Sequence, residues 1–231
     1  MSDLEKKIAS VRRRTILIHG KCPGTRVASS LSCVEIFCAL HFGGGRVVDP
    51  SNPDSADRDR LIISKGHGSI CMYPILADLG FFHADLLEHV GEMDSFLGGI
   101  PDPGIPGYET INGALGHGLG IAVGSAKYLI DRFGVKNSPK VFALISDGEL
   151  YEGSTMEALN LGGALGLSNL CLVVDNNGTT MLDRTENIIP MSNLTERLQT
   201  FGWNVEEVDG HNADELVLSL IHISEPTRQE A

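Results

Sequence analysis

Residues 140–178 read KVFALISDGELYEGSTMEALNLGGALGLSNLCLVVDNNG. Two runs in it, Lys140–Ile145 (KVFALI) and Asn169–Asp175 (NLCLVVD), are apolar without alternation. Strands buried on both faces have that composition. Between them Ser146–Gly153 reads as a loop and Ser154–Gly166 as a helix. Strand, helix, strand at this spacing is a right-handed crossover in a parallel sheet covered by helices. Both strands then end on one sheet edge, where α/β proteins bind ligands. The first strand is followed by Ser146-Asp147-Gly148-Glu149, and the second runs into Asp175-Asn176-Asn177-Gly178. The topology therefore brings Asp147 and Asn177 together. A carboxylate, an amide oxygen and a nearby backbone carbonyl are hard oxygen donors. They suit Mg²⁺, or Ca²⁺ or Mn²⁺, completed by phosphate and water. Gly148 and Gly153 let backbone approach a diphosphate, and the following helix aims its N-terminus at it. Asp147-Gly148 or Asn177-Gly178 alone is an ordinary turn signal. Their pairing at two strand ends carries the cofactor reading.

The flanking chain extends the pattern. Helices are expected over 4–19, 29–42, 68–79, 84–93 and 116–133, with a short strand at Arg60–Ser64 and a Pro/Gly loop at Gly98–Gly107. Beyond the central unit, Leu194–Phe201 reads as a short helix, Trp203–Val208 (WNVEEV) as a strand, and Ala213–Leu220 as the start of a helix. No linker or repeat interrupts 1–220, which reads as one domain. Ile221–Ala231 (IHISEPTRQEA) breaks the helical pattern at Pro226 and is expected to be a non-native tail.

Composition excludes several classes. The 231 residues carry 18 Lys+Arg against 30 Asp+Glu, a net charge of −12. Such a chain repels phosphodiester backbones and anionic membranes, so neither nucleic acid nor membrane is an expected partner. Apolar runs such as Leu170–Val174 fall far short of the ~18 residues of a membrane span. The opening MSDLEKKIASVRRR has no apolar core of a signal peptide, and the expected location is cytoplasmic. Five cysteines without C-x-x-C spacing read as reduced, mostly buried thiols. The 27 glycines concentrate at 98–124 and 148–178, where backbone is expected to meet a ligand. Within 116–124 they do not form G-x-G-x-x-G, and no strand precedes them, which disfavours a nicotinamide-dependent oxidoreductase.

The segment 146–178 resembles the thiamine-diphosphate motif, in which a GDG triplet is followed at nearly this distance by an asparagine pair. Four more segments, 29–42 (SSLSCVEIFCALHF), 57–69 (DRDRLIISKGHGS), 113–126 (GALGHGLGIAVGSA) and 201–212 (FGWNVEEVDGHN), are similar in order to the diphosphate-binding half of transketolase. The resemblance implies a three-layer α/β/α thiamine-diphosphate-binding fold, incomplete at its C-terminus, and transfer of a two-carbon ketol unit between sugar or sugar-phosphate substrates. It implies that Asp147, Asn177 and the Thr179 carbonyl hold the metal and that Gly148 meets a phosphate. It also places His67 toward the cofactor and the substrate channel, and Gly113, Ala114, Leu115 and His117 beside the cofactor's centre. Glu152 would reach across an interface toward a pyrimidine-binding C-terminal half or subunit. His67, Glu152 and His117 are thus the candidate catalytic side chains. That second half carries the glutamate that activates the cofactor, so this chain alone is expected to bind but not to turn over. A homo-oligomer of such pairs is implied. The unpaired face, with Glu152, the Gly113–Gly118 turn, the Gly98–Gly107 loop and Leu119 on its rim, is expected to self-associate.

Three positions depart from the family pattern. Arg26 and Ile100 stand where the family has, or often has, histidines, and Ser146 replaces the first glycine of the triplet. An arginine stays charged and cannot accept a proton at pH 7. It can instead hold a carboxylate, sulfonate or phosphate on the substrate. The alternative function is a non-catalytic paralogue that binds the cofactor or a partner.

Overall fold

The computed structural model describes residues 2–111, 113–191 and 193–224, except the side chains of 223 and 224. Its sheet is formed by β1 (Arg60–Ile63), β2 (Val141–Ser146) and β3 (Leu170–Asp175), parallel and in that order. Ile63 pairs with Leu144, and Ser146 with Asp175, so all three strands end at one edge. The α-helices are α1 (Asp3–Lys21), α2 (Val27–Ser32), α3 (Val34–Phe42), α4 (Met72–Leu79), α5 (Gly118–Phe133), α6 (Gly153–Leu165), α7 (Thr185–Ile188), α8 (Leu194–Thr200) and α9 (Ala213–Ser224).

Successive strand residues point to opposite faces, and β2 builds two cores that way. Phe142 and Leu144 pack with Val11 of α1, Phe37 of α3, Ile75 of α4 and Leu216 of α9. Val141, Ala143 and Ile145 pack with Leu119 and Val123 of α5, Leu159 of α6 and Leu198 of α8. The result is the expected three-layer α/β/α sandwich. Local chemistry sets the ends: α1 opens on a capping box, in which Ser2 Oγ accepts from Glu5 N at 3.2 Å and Glu5 Oε2 accepts from Ser2 N.

Several expectations are corrected. The helix expected over 29–42 starts at Val27 and breaks at Cys33, whose thiol sits 3.4 Å from the Ser29 carbonyl. A side chain bonding back to the preceding turn bends helices in this way. The helix expected over 68–79 is preceded by a 3₁₀ turn, Gly66–Cys71, and 84–93 holds only the 3₁₀ turn Ala84–His89. The loop after β2 is itself a 3₁₀ turn, Asp147–Tyr151, and the helical turn α7 was not expected.

Trp203–Val208 is not a strand. A cleft of about 480 Å³ lies between it and β3, so it has no ladder to join. Hydrogen bonds to the flanking helices hold it instead. Its Trp203 indole donates to the Leu159 carbonyl at 2.9 Å, Ser219 Oγ donates to Glu206 at 2.6 Å, and Thr195 bonds Glu207. Helix α9 continues past Leu220 to Ser224, beyond the expected start of the tail. The remainder of that tail, 225–231, lies outside the described residues. Leu119, expected on a rim, is instead fully buried on the core side of α5.

Candidate diphosphate and metal site

The site is built at the shared strand edge. After β1 come Ser64, Lys65 and His67; after β2, Asp147 and Glu149; after β3, Asn177 to Thr180. Asp147 is only 5% exposed. Its Oδ1 accepts from Gly148 N at 2.8 Å and its Oδ2 from Gly178 N at 2.7 Å, which ties the two strand-end loops together across 31 positions. Burial raises the Asp147 carboxyl above its ordinary range, and those two amides only partly offset it. A desolvated carboxylate of this kind gains from a cation placed against it.

Asn177 lies beside it on the exposed side of the edge. Its Oδ1 accepts from Thr179 N at 3.0 Å. The hairpin that follows uses Gly178 O, bonded by Thr185 N, and Thr180 N, bonded to Asp183 O. Neither of those bonds engages the Thr179 carbonyl. Each oxygen of Asp147 and Asn177 has two lone pairs and gives one to a backbone amide, so acceptor capacity remains. Carboxylate, amide and carbonyl oxygens fit a hard divalent ion. Among the described residues no cluster of three His, Cys, Asp or Glu side chains offers a rival metal site.

The remaining candidates fall around this centre. Gly148 turns its N–H onto Asp147 rather than outward, and a Cβ there would press on the Thr180 methyl at 3.3 Å. Ser146, at φ −102° and ψ 161°, is in ordinary extended backbone, so serine replaces glycine without strain. Gly113 and Ala114 are exposed, Leu115 is half-buried, and His117 is exposed at the start of α5, where its side chain makes no capping bond. Glu152 is exposed and lies against that turn. Gly116, at φ +88°, has no room for a Cβ, which would sit 2.9 Å from the Glu152 Cβ. The turn is also fastened from below: Glu149 Oε1 accepts from Gly116 N at 2.8 Å and from Ser64, and Gly118 N donates to Ser64 Oγ at 2.9 Å. Burial raises the Glu149 carboxyl.

His67 is half-buried in the 3₁₀ turn after β1. Burial lowers its pKa, and the cations Lys65 and Arg26 lower it further, so it stands neutral at pH 7. Arg26 caps α2 and reaches the Met181 sulfur over the 178–185 hairpin. The loop carrying Ile100 packs on the same segment: a Cβ on Gly99 would contact Thr25 at 3.5 Å. Two of the three departures from the family pattern, Arg26 and Ile100, thus occupy adjoining loops.

One buried group escaped the sequence reading. Lys65, 1% exposed, pairs with Asp175 at the end of β3, and Ser32 donates to the same carboxylate at 2.9 Å. The Cys33 thiol lies 3.4 Å from that carboxylate as well as from the Ser29 carbonyl and shares its one proton between them. A lysine and an aspartate at the ends of the two strands that flank β2 were the available signal. The cysteine expectation fares better: all five thiols are free, four are buried, and burial pushes Cys33, Cys38 and Cys171 up to about 12. No helix among the described residues is long and apolar enough to cross a membrane.

Known proteins share this fold and part of this sequence. The family profile described as transketolase, thiamine diphosphate binding domain, matches residues 20–229. The chain is 34% identical over 215 residues to a subunit of the apulose-4-phosphate transketolase of Phocaeicola vulgatus, covering 93% of this chain and 75% of that one. It is 34% identical over 216 residues to the 6-deoxy-6-sulfo-D-fructose transketolase subunit SqwG of a Clostridium species, covering 93% and 77%. Among solved structures, transketolase of Campylobacter jejuni superposes with a TM-score of 0.88 at 26% identity, over 96% of this chain and 35% of that one. A Pichia stipitis transketolase gives 0.88 at 23% identity, over 98% and 35%. The chain thus spans about a third of these whole transketolases and three quarters of the separate subunits. With its sheet, its strand-edge donors and these matches in agreement, the chain belongs to the transketolase thiamine-diphosphate-binding domain family.

Proposed function

We propose that this chain is the diphosphate-binding half of a split transketolase that moves a two-carbon ketol unit between sugars or sugar phosphates. The observation that carries the reading is Asp147: a buried carboxylate fastened to both strand-end loops by backbone amides alone. Asp147, Asn177 and the Thr179 carbonyl would hold Mg²⁺ against the cofactor's diphosphate. The bound thiamine diphosphate supplies the nucleophilic carbon for two-carbon transfer. This chain's part is to position and to exclude. The Gly113–Gly118 turn, pinned by Glu149 and Ser64, forms a fixed wall. Neutral His67 can accept a proton at its free ring nitrogen and, once charged, return it toward the substrate channel. Glu152, exposed beside Gly116, is placed to meet a pyrimidine-binding partner subunit. The naming of its relatives as subunits supports such a partner. Arg26, at the mouth beside His67, suits a substrate bearing a carboxylate, sulfonate or phosphate.

The test is reconstitution. Mixed with Mg²⁺–thiamine diphosphate and a pyrimidine-binding subunit, the chain should transfer a ketol unit from an anionic ketose to an aldose, and neither half should do so by itself. A second reading, a non-catalytic paralogue, is favoured by Arg26 and Ile100. It predicts cofactor binding with no transfer in any such mixture.

A further inference from the structure

We propose that Ser32, backed by the buried Lys65–Asp175 ion pair, sets which way Asn177 presents its amide and so makes its oxygen available to the metal; this rests on the reading of the site above. The carboxylate of Asp175 can only accept, and its partners are all donors: Lys65 Nζ, Cys33 Sγ at 3.4 Å and Ser32 Oγ at 2.9 Å. A serine hydroxyl has a single hydrogen. Ser32 gives that hydrogen to Asp175, so toward Asn177 it can only accept. The atom of Asn177 that faces Ser32 must therefore be the amide nitrogen, found at 3.1 Å from Ser32 Oγ and 3.5 Å from Asp175 Oδ2. Its oxygen is turned the other way, toward Thr179 N.

The orientation is decided by hydrogen-bond polarity and not by packing. An amide's two ends are nearly the same size, and Asn177 is exposed, so nothing steric would stop a flip. A flipped amide would present –NH₂ to a cation and lose it as a ligand. The break between α2 and α3 at Cys33 has its purpose here. It brings Ser32 and Cys33 onto the end of β3 from a different layer. Lys65 balances the carboxylate, 7% exposed, that would otherwise sit uncompensated. Ser32 is a positioning residue, since it reaches the metal only through Asn177.

The experiment is Mn²⁺ binding to the whole chain with saturating thiamine diphosphate, read by electron paramagnetic resonance together with the melting temperature. Ser32→Ala should weaken Mn²⁺ by about tenfold, the usual weight of such an outer partner, and leave the melting temperature within about 2 °C. Ser32→Thr, which keeps the hydroxyl, should restore it. Asn177→Asp is the second probe. Simple charge attraction predicts tighter Mn²⁺. Hydrogen-bond polarity predicts weaker binding, because the new carboxylate oxygen opposes Asp175 and Ser32. Wild-type affinity in Ser32→Ala, or a gain in Asn177→Asp, overturns the inference while the wild type still binds. If the wild type shows no cofactor-dependent Mn²⁺ site, the reading of the site falls and this inference with it.

Discussion

At the scale of single residues the fold places ionisable groups where their protonation has consequences. His41 in α3 is buried. Its Nδ1–H donates to the Phe37 carbonyl at 2.8 Å, and Nε2 accepts from Arg46 at 3.1 Å. Burial, and then the Arg46 charge, lower its pKa to about 3. The unfolded value is ~6.5. The folded state therefore keeps a neutral ring while the unfolded chain takes up a proton below that pH. The residue's contribution is complete above pH ~6.5 and is lost as pH falls toward 3, with a slope of up to ~1.4 kcal/mol per unit. Urea melts at successive pH values should show this acid limb. His41→Gln, though less stable at pH 7, should flatten it; an unchanged slope would place the effect elsewhere. The meeting of Asp147 and the Asn177 loop at one strand edge was legible in sequence, because both lie at ends of strands whose composition is unmistakable. The burial of Asp147 and the grip of Ser32 on Asn177 were not. The first depends on how the loop at Gly178 closes over the carboxylate, a tertiary contact. The second depends on α2 ending one residue before Cys33, a break that helical periodicity does not register.

At the scale of elements, close approach decides what can be changed. Helix α6 passes the chain after α8 at Gly163, where an added Cβ would overlap the Phe201 carbonyl at 1.7 Å. Gly163→Ala should cost about 1–3 kcal/mol as overpacking, a drop of ~2–10 °C in melting temperature for a chain of this size. A calorimetric melting point equal to the wild type's would show that the crossing has slack. The strands of the central unit were readable because continuous apolar runs this short, flanked by polar loops, suit buried strands and little else. Trp203–Val208 misled for the converse reason. Its alternation is real, but a strand needs a neighbour's free backbone groups, and the 480 Å³ cleft separates it from β3. In α9, Leu216 and Leu220 are buried against α3 while Ile221 is 36% exposed. Deleting 221–231 should therefore shift the melting temperature by less than ~3 °C, the effect of about 1 kcal/mol. A larger fall would make that segment integral.

At the scale of the whole molecule, the chain is one side of the proposed assembly. The α5 face beside the Gly113–Gly118 turn exposes Gly120, Ile121, Gly124 and Tyr128, with Ile121 42% exposed. Leu119, buried, cannot report on that face. Ile121→Asp can, and it should reduce self-association in light scattering without lowering the melting temperature. Undiminished association would remove this face from the interface. The strand edge, however, is where binding of the cofactor is decided. Isothermal titration of thiamine diphosphate into the chain measures that binding most directly, with Mg²⁺ and then with EDTA, for the wild type and for Asp147→Asn. Asparagine removes the charge that draws the metal and keeps one of the two oxygens that accept from Gly148 N and Gly178 N, and the variant's melting temperature, measured alongside, shows whether the loops still hold. The expected result is one site per chain in Mg²⁺, none in EDTA, and affinity at least ~100-fold weaker in the variant, as for an interaction of ~3 kcal/mol. Equal binding with and without Mg²⁺, or wild-type affinity in Asp147→Asn, would contradict it.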